Sequence, residues 1–277
     1  MVEFRWHRRS KDHTPIIKDI DIIMFTEEVL SDYKPELLET PGRIDPEHFI
    51  EHYLGAAIDY QDIYNPGANG LIAGATIFNH ERLSVYDKEH DIIKSILVDP
   101  GTIIIDNSVA DSDHLGFEEF TAMHEAGHFQ MHQDVYKRSS NQLSFYSMGL
   151  MDAEDTANGT LCMRSNIGQN KTPLVTSEDF REHHANTYSA SMLMPRRTFI
   201  PYIYERNLAD GYMNGIHVIL PKYDPDGDNK LKALIAGASR KYGVSRSAVR
   251  VNMQKYGLLT TAAEFTEAKR RLAIYTR

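Results

Sequence analysis

The stretch FTAMHEAGHFQMH, residues 120–132, places His124, Glu125, His128 and His132 close together in what reads as a helix. On a helix, residues four apart share a face about one turn apart. His124 and His128 then point the same way, and their imidazoles can share one small cation. Glu125 stands beside the first histidine, able to reach a water on that cation without being a ligand. This is the logic of H-E-x-x-H, in which two imidazoles hold Zn²⁺ and the glutamate takes a proton from water. Ala126 and Gly127 are small and leave room for another backbone or a substrate. His132 lies two turns beyond His124, about 12 Å along the axis, so one metal cannot take both. The metzincin pattern is excluded as well, because it needs glycine and histidine where this chain has Met131 and Asp134. His132 is expected to cap, bury or hydrogen-bond at the helix end.

A catalytic zinc takes three protein ligands and a water. The stretch EDFREHHANTYSASMLMP, residues 178–195, is the best source of the third. Glu182 and Asn186 are four apart on one helical face. Glu182 can coordinate the metal while Asn186 holds a ligand histidine from behind. His183 and His184 are rival ligands, but consecutive helical residues diverge by about 100°, so at most one of the three easily faces the site. Glu178 and Asp179 fall at or before the first turn and are less suited.

The elements that must position these groups follow from periodicity and punctuation. Residues 1 to about 15 are polar and expected to be mobile. IKDIDIIMFTEEVLSDY has helical spacing of its apolar residues. IDPEHFIEHYLG reads as a second helix, with Asp45 as N-cap, Pro46 at the first helical position and Gly55 at the end. AAIDYQDIY, GLIAGATIFN, RLSVYD and GTIIIDN are short, rich in Ile, Val, Thr and Tyr, and predict a small sheet. Ser112 or Asp113 can cap the helix that carries the histidines, with Glu118 and Glu119 near its start. Residues 133–176 are irregular and predict a long inserted loop, a candidate lid. Thr176 or Ser177 caps the next helix and Pro195 stops it. RTFIPYIYERN predicts a short helix, KYDPDGDNK a turn, and the stretch from Asp228 to Leu259 two helices around KYGVS.

The paired stretches resemble the ImmA/IrrE family of zinc metallo-endopeptidases. That family combines F-T-x-x-H-E-x-G-H-x-x-x-H with a later E-x-x-A-N-x-F-A-x-x-L-L-M-P helix. Matched position by position, the resemblance implies His124 and His128 as metal ligands, Glu125 as the catalytic glutamate, Glu182 as third ligand and Asn186 one turn on. His132 matches a histidine common in the family after the motif. GTIIIDN resembles the strand before the active-site helix, and SRKYGVSRSAVRVNMQKYGLL the segment after the M-P helix. The resemblance spans roughly residues 45–260. The chain departs from it at Glu119, where a basic residue is frequent, at Tyr188-Ser189 in place of F-A, and in a longer gap between the two helices. It implies an α+β, zincin-like fold of the gluzincin type, and substrates among repressor proteins.

The remaining features bound the function. A chain of 277 residues with net charge −9 suits one large domain or two small ones, and disfavours a nucleic-acid surface over the whole molecule. Its one cysteine, Cys162, precludes an internal disulfide and fits a reducing compartment; it reads as an indifferent cysteine rather than an inhibitory thiolate. No apolar run of membrane length and no signal peptide is seen, so a cytoplasmic protein is expected. The segment from Asp228 to Leu259 is locally basic and helix-turn-helix-like, and reads as the helical cap of the peptidase rather than a DNA reader. DPDGDN lacks the spacing of a calcium loop. Tyr188, His183, His184 and His217 are candidate oxyanion donors, and Asn107 with GTIIIDN a candidate strand for pairing with substrate backbone. The expectation is an N-terminal extension at 1–44, a metallopeptidase domain at 45–215 and a C-terminal helical segment at 216–277. It is of a zinc endopeptidase with one Zn²⁺ per chain on His124, His128 and Glu182, Glu125 as base, and a protein or peptide substrate. The alternative is a non-catalytic regulator of the same fold that binds a protein partner or DNA.

Overall fold

The computed structural model describes residues 1–64, 72–110, 115–136, 159–163, 173–206, 211–213, 216–218, 227–259 and 267. The fold is α+β. Helix α1 (Asp19–Tyr33) and α2, which opens at Pro46–His48 and runs into a wider turn at Phe49–Leu54, precede the sheet. Asp45 caps α2 by accepting from the His48 N–H, and Gly55 ends it at φ 66°. The sheet has the order β1 (Ala57–Gln61), β5 (Thr102–Asp106), β2 (Ile72–Ile77), β6 (Gly159–Met163). β1 runs parallel to β5, while β2 is antiparallel to both β5 and β6.

β3 (Glu81–Asp87) does not join that sheet. It pairs with β4 (Ile92–Val98), a strand the turn chemistry did not reveal, as a separate hairpin. The hairpin explains why β2 and β5 are buried along their whole length. Ala73, Ile103 and Ile105 face the main core, whereas Ala75, Ile77 and Ile104 pack with Leu83, Val85 and Val98 of the hairpin. Both faces are covered, so the strands read as continuous apolar runs rather than alternating ones. β5 lies between β1 and β2, and both its edges are bonded. It therefore offers no edge to a substrate backbone, and Asn107 instead opens a short helix, α3 (Asn107–Ala110).

Helix α4 (Phe117–Met131) carries the histidine motif, and the short α5 (Gln133–Tyr136) follows it. Ser112 and Asp113 lie outside the described residues, and α4 starts later than expected. Gly116 occupies its cap at φ 76° with no side-chain cap, while Glu118 and Glu119 fall in the first turn. α4 is sandwiched between β2 and β5 on one side and α6 (Ser177–Leu193) on the other, and α1 backs α6. Being covered on both sides, α4 buries Met123, Ala126 and the intervening polar residues alike. α6 begins with a reciprocal cap: the Asp179 N–H donates to Thr176 Oγ1 at 3.0 Å, and the Thr176 N–H to Asp179 Oδ2 at 2.9 Å. It ends before Pro195, which has no N–H to continue the ladder.

The chain continues through α7 (Arg196–Arg206), a small hairpin of β7 (Gly211–Met213) and β8 (Ile216–Val218), and the pair α8 (Gly227–Tyr242) and α9 (Arg246–Lys255). Leu231, Leu234, Ala238, Tyr242, Val249 and Met253 of this pair join the apolar cluster of Phe199, Met192 and Phe49. Lys255 ties α9 down, its Nζ 2.8 Å from Asp19 Oδ2 and 3.0 Å from Thr187 Oγ1. Most of the loop expected at 133–176 lies outside the described residues; within it, α5 and β6 are ordered elements. Of the turn expected at KYDPDGDNK, residues 222–226 lie outside the described residues, and residues 227–230 are instead the first turn of α8. The N-terminal residues are not loose as their polarity suggested. The Val2 N–H donates to Tyr53 Oη, Arg9 pairs with Asp134 at 2.8 Å, and Arg181 reaches Asp12 and Thr14. Among the described residues no helix is long and apolar enough to cross a membrane.

Candidate metal centre

α4 and α6 cross so that His124 and His128 of one face Glu182 of the other. The two Nε2 atoms are 3.1 Å apart. Glu182 Oε1 is 3.2 Å from His128 Nε2, and Oε2 is 3.5 Å from His124 Nε2. Adjacent ligands of a tetrahedral zinc with bonds of 2.0–2.2 Å stand about 3.3–3.5 Å apart. The two imidazole nitrogens and the Glu182 carboxylate, which turns one oxygen to each of them, thus form a triangle of groups at the spacing such a site requires. Among the described residues this is the one group of His, Cys, Asp and Glu side chains arranged to hold a metal ion.

The rival ligands turn elsewhere. His183 Nε2 lies 2.7 Å from Asp19 Oδ1 on α1. His184 is buried but points past the triangle, its Nδ1 3.4 Å from His132 Nε2. His132 is not solvated; it is fully buried, and its Nδ1 lies 3.0 Å from His128 Nδ1. Asn186 Oδ1 stands 3.2 Å from His124 Nδ1, on the side of the ring away from the triangle. Tyr188 is occupied by packing: its ring sits against Gly127, where an added Cβ would meet it at 3.0 Å, and its hydroxyl donates to Gln130. The small residue at 127 therefore admits this ring, not a substrate or another backbone. His217 lies on β8, and Cys162 on β6 opposite Gly74 in register.

Glu125 is fully buried beside the triangle without entering it. Thr76 Oγ1 on β2 donates to Glu125 Oε2 at 2.6 Å, while Oε1 has no hydrogen-bond partner among the described residues. Oε1 nestles against Gly74, where a Cβ would come within 3.1 Å of it. No sequence motif marks Thr76 and Gly74 as partners of Glu125. The one hint was a threonine inside the otherwise apolar IAGATI, a polar group that must find a buried partner.

The electrostatics follow from burial and pairing. Burial pushes the Glu125 carboxyl up, with His128, His124 and Thr76 pulling against it. Burial opposes charge on Glu182 also, but bonds and charges from His124 and His128 win and hold it far below the carboxylate range. Burial likewise disfavours charge on His124, yet Glu182 outweighs it and raises that imidazole. Two buried carboxylates beside two buried imidazoles make a site that a divalent cation neutralises. The donor set, two imidazole nitrogens and one carboxylate oxygen, suits zinc.

His132 and His184 behave oppositely. Burial pushes both imidazoles down, His184 to about 3 from a usual 6.5. Below 6.5 the unfolded chain binds a proton that the folded His184 refuses. Its contribution therefore erodes stability as pH falls from 6.5 towards 3. For the metal-free protein, the melting temperature of wild type is expected to fall more steeply between pH 7 and 5 than that of His184→Gln. Parallel curves would mean that His184 charges freely in the fold.

Neither a protein-family model nor a curated protein matches the sequence. Among solved structures, the chain is similar to a Mycobacterium tuberculosis transcriptional regulator at 11% identity with a TM-score of 0.35, over 83% of this chain and 45% of that one. The chain thus spans under half the length of that protein.

Proposed function

We propose that this protein is a zinc-dependent endopeptidase of the ImmA/IrrE type, with a zincin-like fold. The observation that carries the reading is the His124–His128–Glu182 triangle with a fourth buried group, Glu125, beside it and outside it. A structural zinc site is closed by four protein ligands, whereas a catalytic one has three and an open position. His124, His128 and Glu182 would hold the ion, one per chain. When bound, zinc supplies Lewis acidity, polarising a carbonyl and acidifying a water molecule by several pKa units. Glu125 is placed to take a proton on Oε1, with Oε2 held by Thr76, and to return it to the leaving amine. Its burial keeps its proton affinity high enough for that task.

The substrate class we assign is a protein or peptide, and the sequence resemblance favours a helix-turn-helix repressor. α8 and α9 then serve as the helical cap of the peptidase. The inner face of α9, with Val249, Asn252 and Met253, is packed in the core. The competing reading, a non-catalytic regulator that binds a protein or DNA, has no use for a buried base next to the metal position.

Metal removal tests the proposal. Dialysis against a chelator is expected to abolish hydrolysis of a peptide library, and one equivalent of Zn²⁺ to restore it. Hydrolysis that survives complete removal of zinc would dispose of the zinc-dependent mechanism, and no hydrolysis even with zinc restored would dispose of the peptidase reading.

A further inference from the structure

His132 and His184 are buried histidines to which the proposed reaction gives no part. His128 presents Nε2 to the triangle, and that atom must offer a lone pair to bind a cation. Its ring proton then resides on Nδ1. Nδ1 lies 3.0 Å from His132 Nδ1, which must accept, so the proton of His132 sits on Nε2. That nitrogen faces His184 Nδ1 at 3.4 Å, which must accept in turn. All three rings are buried, so water does not compete for these positions. The distances and burial fix one tautomer for each ring, in a single direction away from the metal position. Asn186 does the same for His124 with its carboxamide oxygen at 3.2 Å.

We propose that His132, backed by His184, is a positioning residue. It accepts the Nδ1 proton of His128 and so locks that ring as an Nε2 ligand. The inference rests on the metal reading above. It assigns to a histidine on α4, too far along the helix to be a ligand itself, control over the ligand one turn before it. Acceptors behind ligating histidines typically contribute 10–100-fold to metal affinity.

Two nearly isosteric substitutions separate this role from packing. Asparagine places its Oδ1 near the position of His132 Nδ1 and can accept; leucine places a methyl there and cannot. In competition with a chromogenic chelator, His132→Leu is expected to bind zinc 10–100-fold more weakly than wild type. His132→Asn is expected to stay within a few-fold. Co²⁺-loaded His132→Leu is expected to show a shifted visible absorption spectrum, and His132→Asn a spectrum close to wild type. Equal affinity in wild type and His132→Leu, or equal loss in both variants, overturns the positioning role while leaving the site intact. Failure of wild type to bind zinc overturns the metal reading, and this inference with it. Should His132→Leu not fold, ring ¹⁵N spectra of zinc-loaded wild type decide instead. His132 protonated on Nε2 alone supports the relay, and a proton on its Nδ1 excludes it.

Discussion

Glu125→Gln is expected to leave zinc binding near the wild-type level and to lower the rate of peptide cleavage by about 10²–10⁴-fold. The substitution keeps shape and removes the base. Glu125 is buried with Oε2 bound by Thr76, so a glutamine can retain that bond through its carbonyl oxygen and fill the same space against Gly74. The metal triangle does not include Glu125, so affinity for the ion has no reason to collapse. The effect should appear in kcat rather than KM, because the lost interaction belongs to the transition state. A variant that cleaves at the wild-type rate would show that the proton is taken elsewhere, and one that loses zinc would place Glu125 among the ligands. The regulator reading makes the contrary forecast: both forms bind zinc and neither cleaves.

Gly116→Ala is expected to destabilise the fold by about 3–5 kcal/mol, a fall in melting temperature of roughly 10 °C. Gly116 sits at φ 76°, where a side chain costs about 1–2 kcal/mol in itself. The larger cost is steric. A Cβ there would stand 2.4 Å from Val244 Cα and 2.5 Å from the Gly243 carbonyl oxygen. Those are backbone atoms of the turn between α8 and α9, and they cannot rotate away. The contact is where the start of the histidine-bearing helix α4 docks on the C-terminal pair, so the strain falls on both. A thermal melt of the metal-free variant measures it. An unchanged melting temperature would mean that this junction opens at little cost.

The residues at the candidate centre were unusually legible. Helical spacing brings His124 and His128 together, and the family resemblance points to Glu182 on a second helix as the third ligand. The structure sets these three within one triangle. Legibility ended where partners are chosen by tertiary packing. Three consecutive polar residues, Glu182, His183 and His184, were interchangeable in the sequence; the crossing of α6 over α4 and α1 separates them, sending His183 to Asp19 and His184 to His132. Thr76 and Gly74 belong to a strand nearly fifty residues away, and no local pattern connects a strand to one carboxylate.

The fold was readable to a similar depth. The caps at Asp45 and Thr176 have short-range chemistry and were visible. The start of α4 is not legible in side-chain capping chemistry because its cap is a glycine in the left-handed region, set by the close approach of Val244 rather than by side-chain bonding. β4 carries no alternating signal because its apolar residues fall on both faces: Ile96 and Val98 pack toward β2 and β5, while Ile92, Ile93 and Leu97 are exposed. The N-terminal residues looked loose because their anchors are long-range: Tyr53, Asp134 and Arg181.

The central claim is that His124, His128 and Glu182 hold one zinc ion. Elemental mass spectrometry of purified wild type and Glu182→Ala, side by side, tests it most directly. About one zinc per chain in wild type and little or none in the variant is the expected result. No zinc in wild type, even after zinc is offered, would contradict it and make the histidines of HEAGH a structural feature.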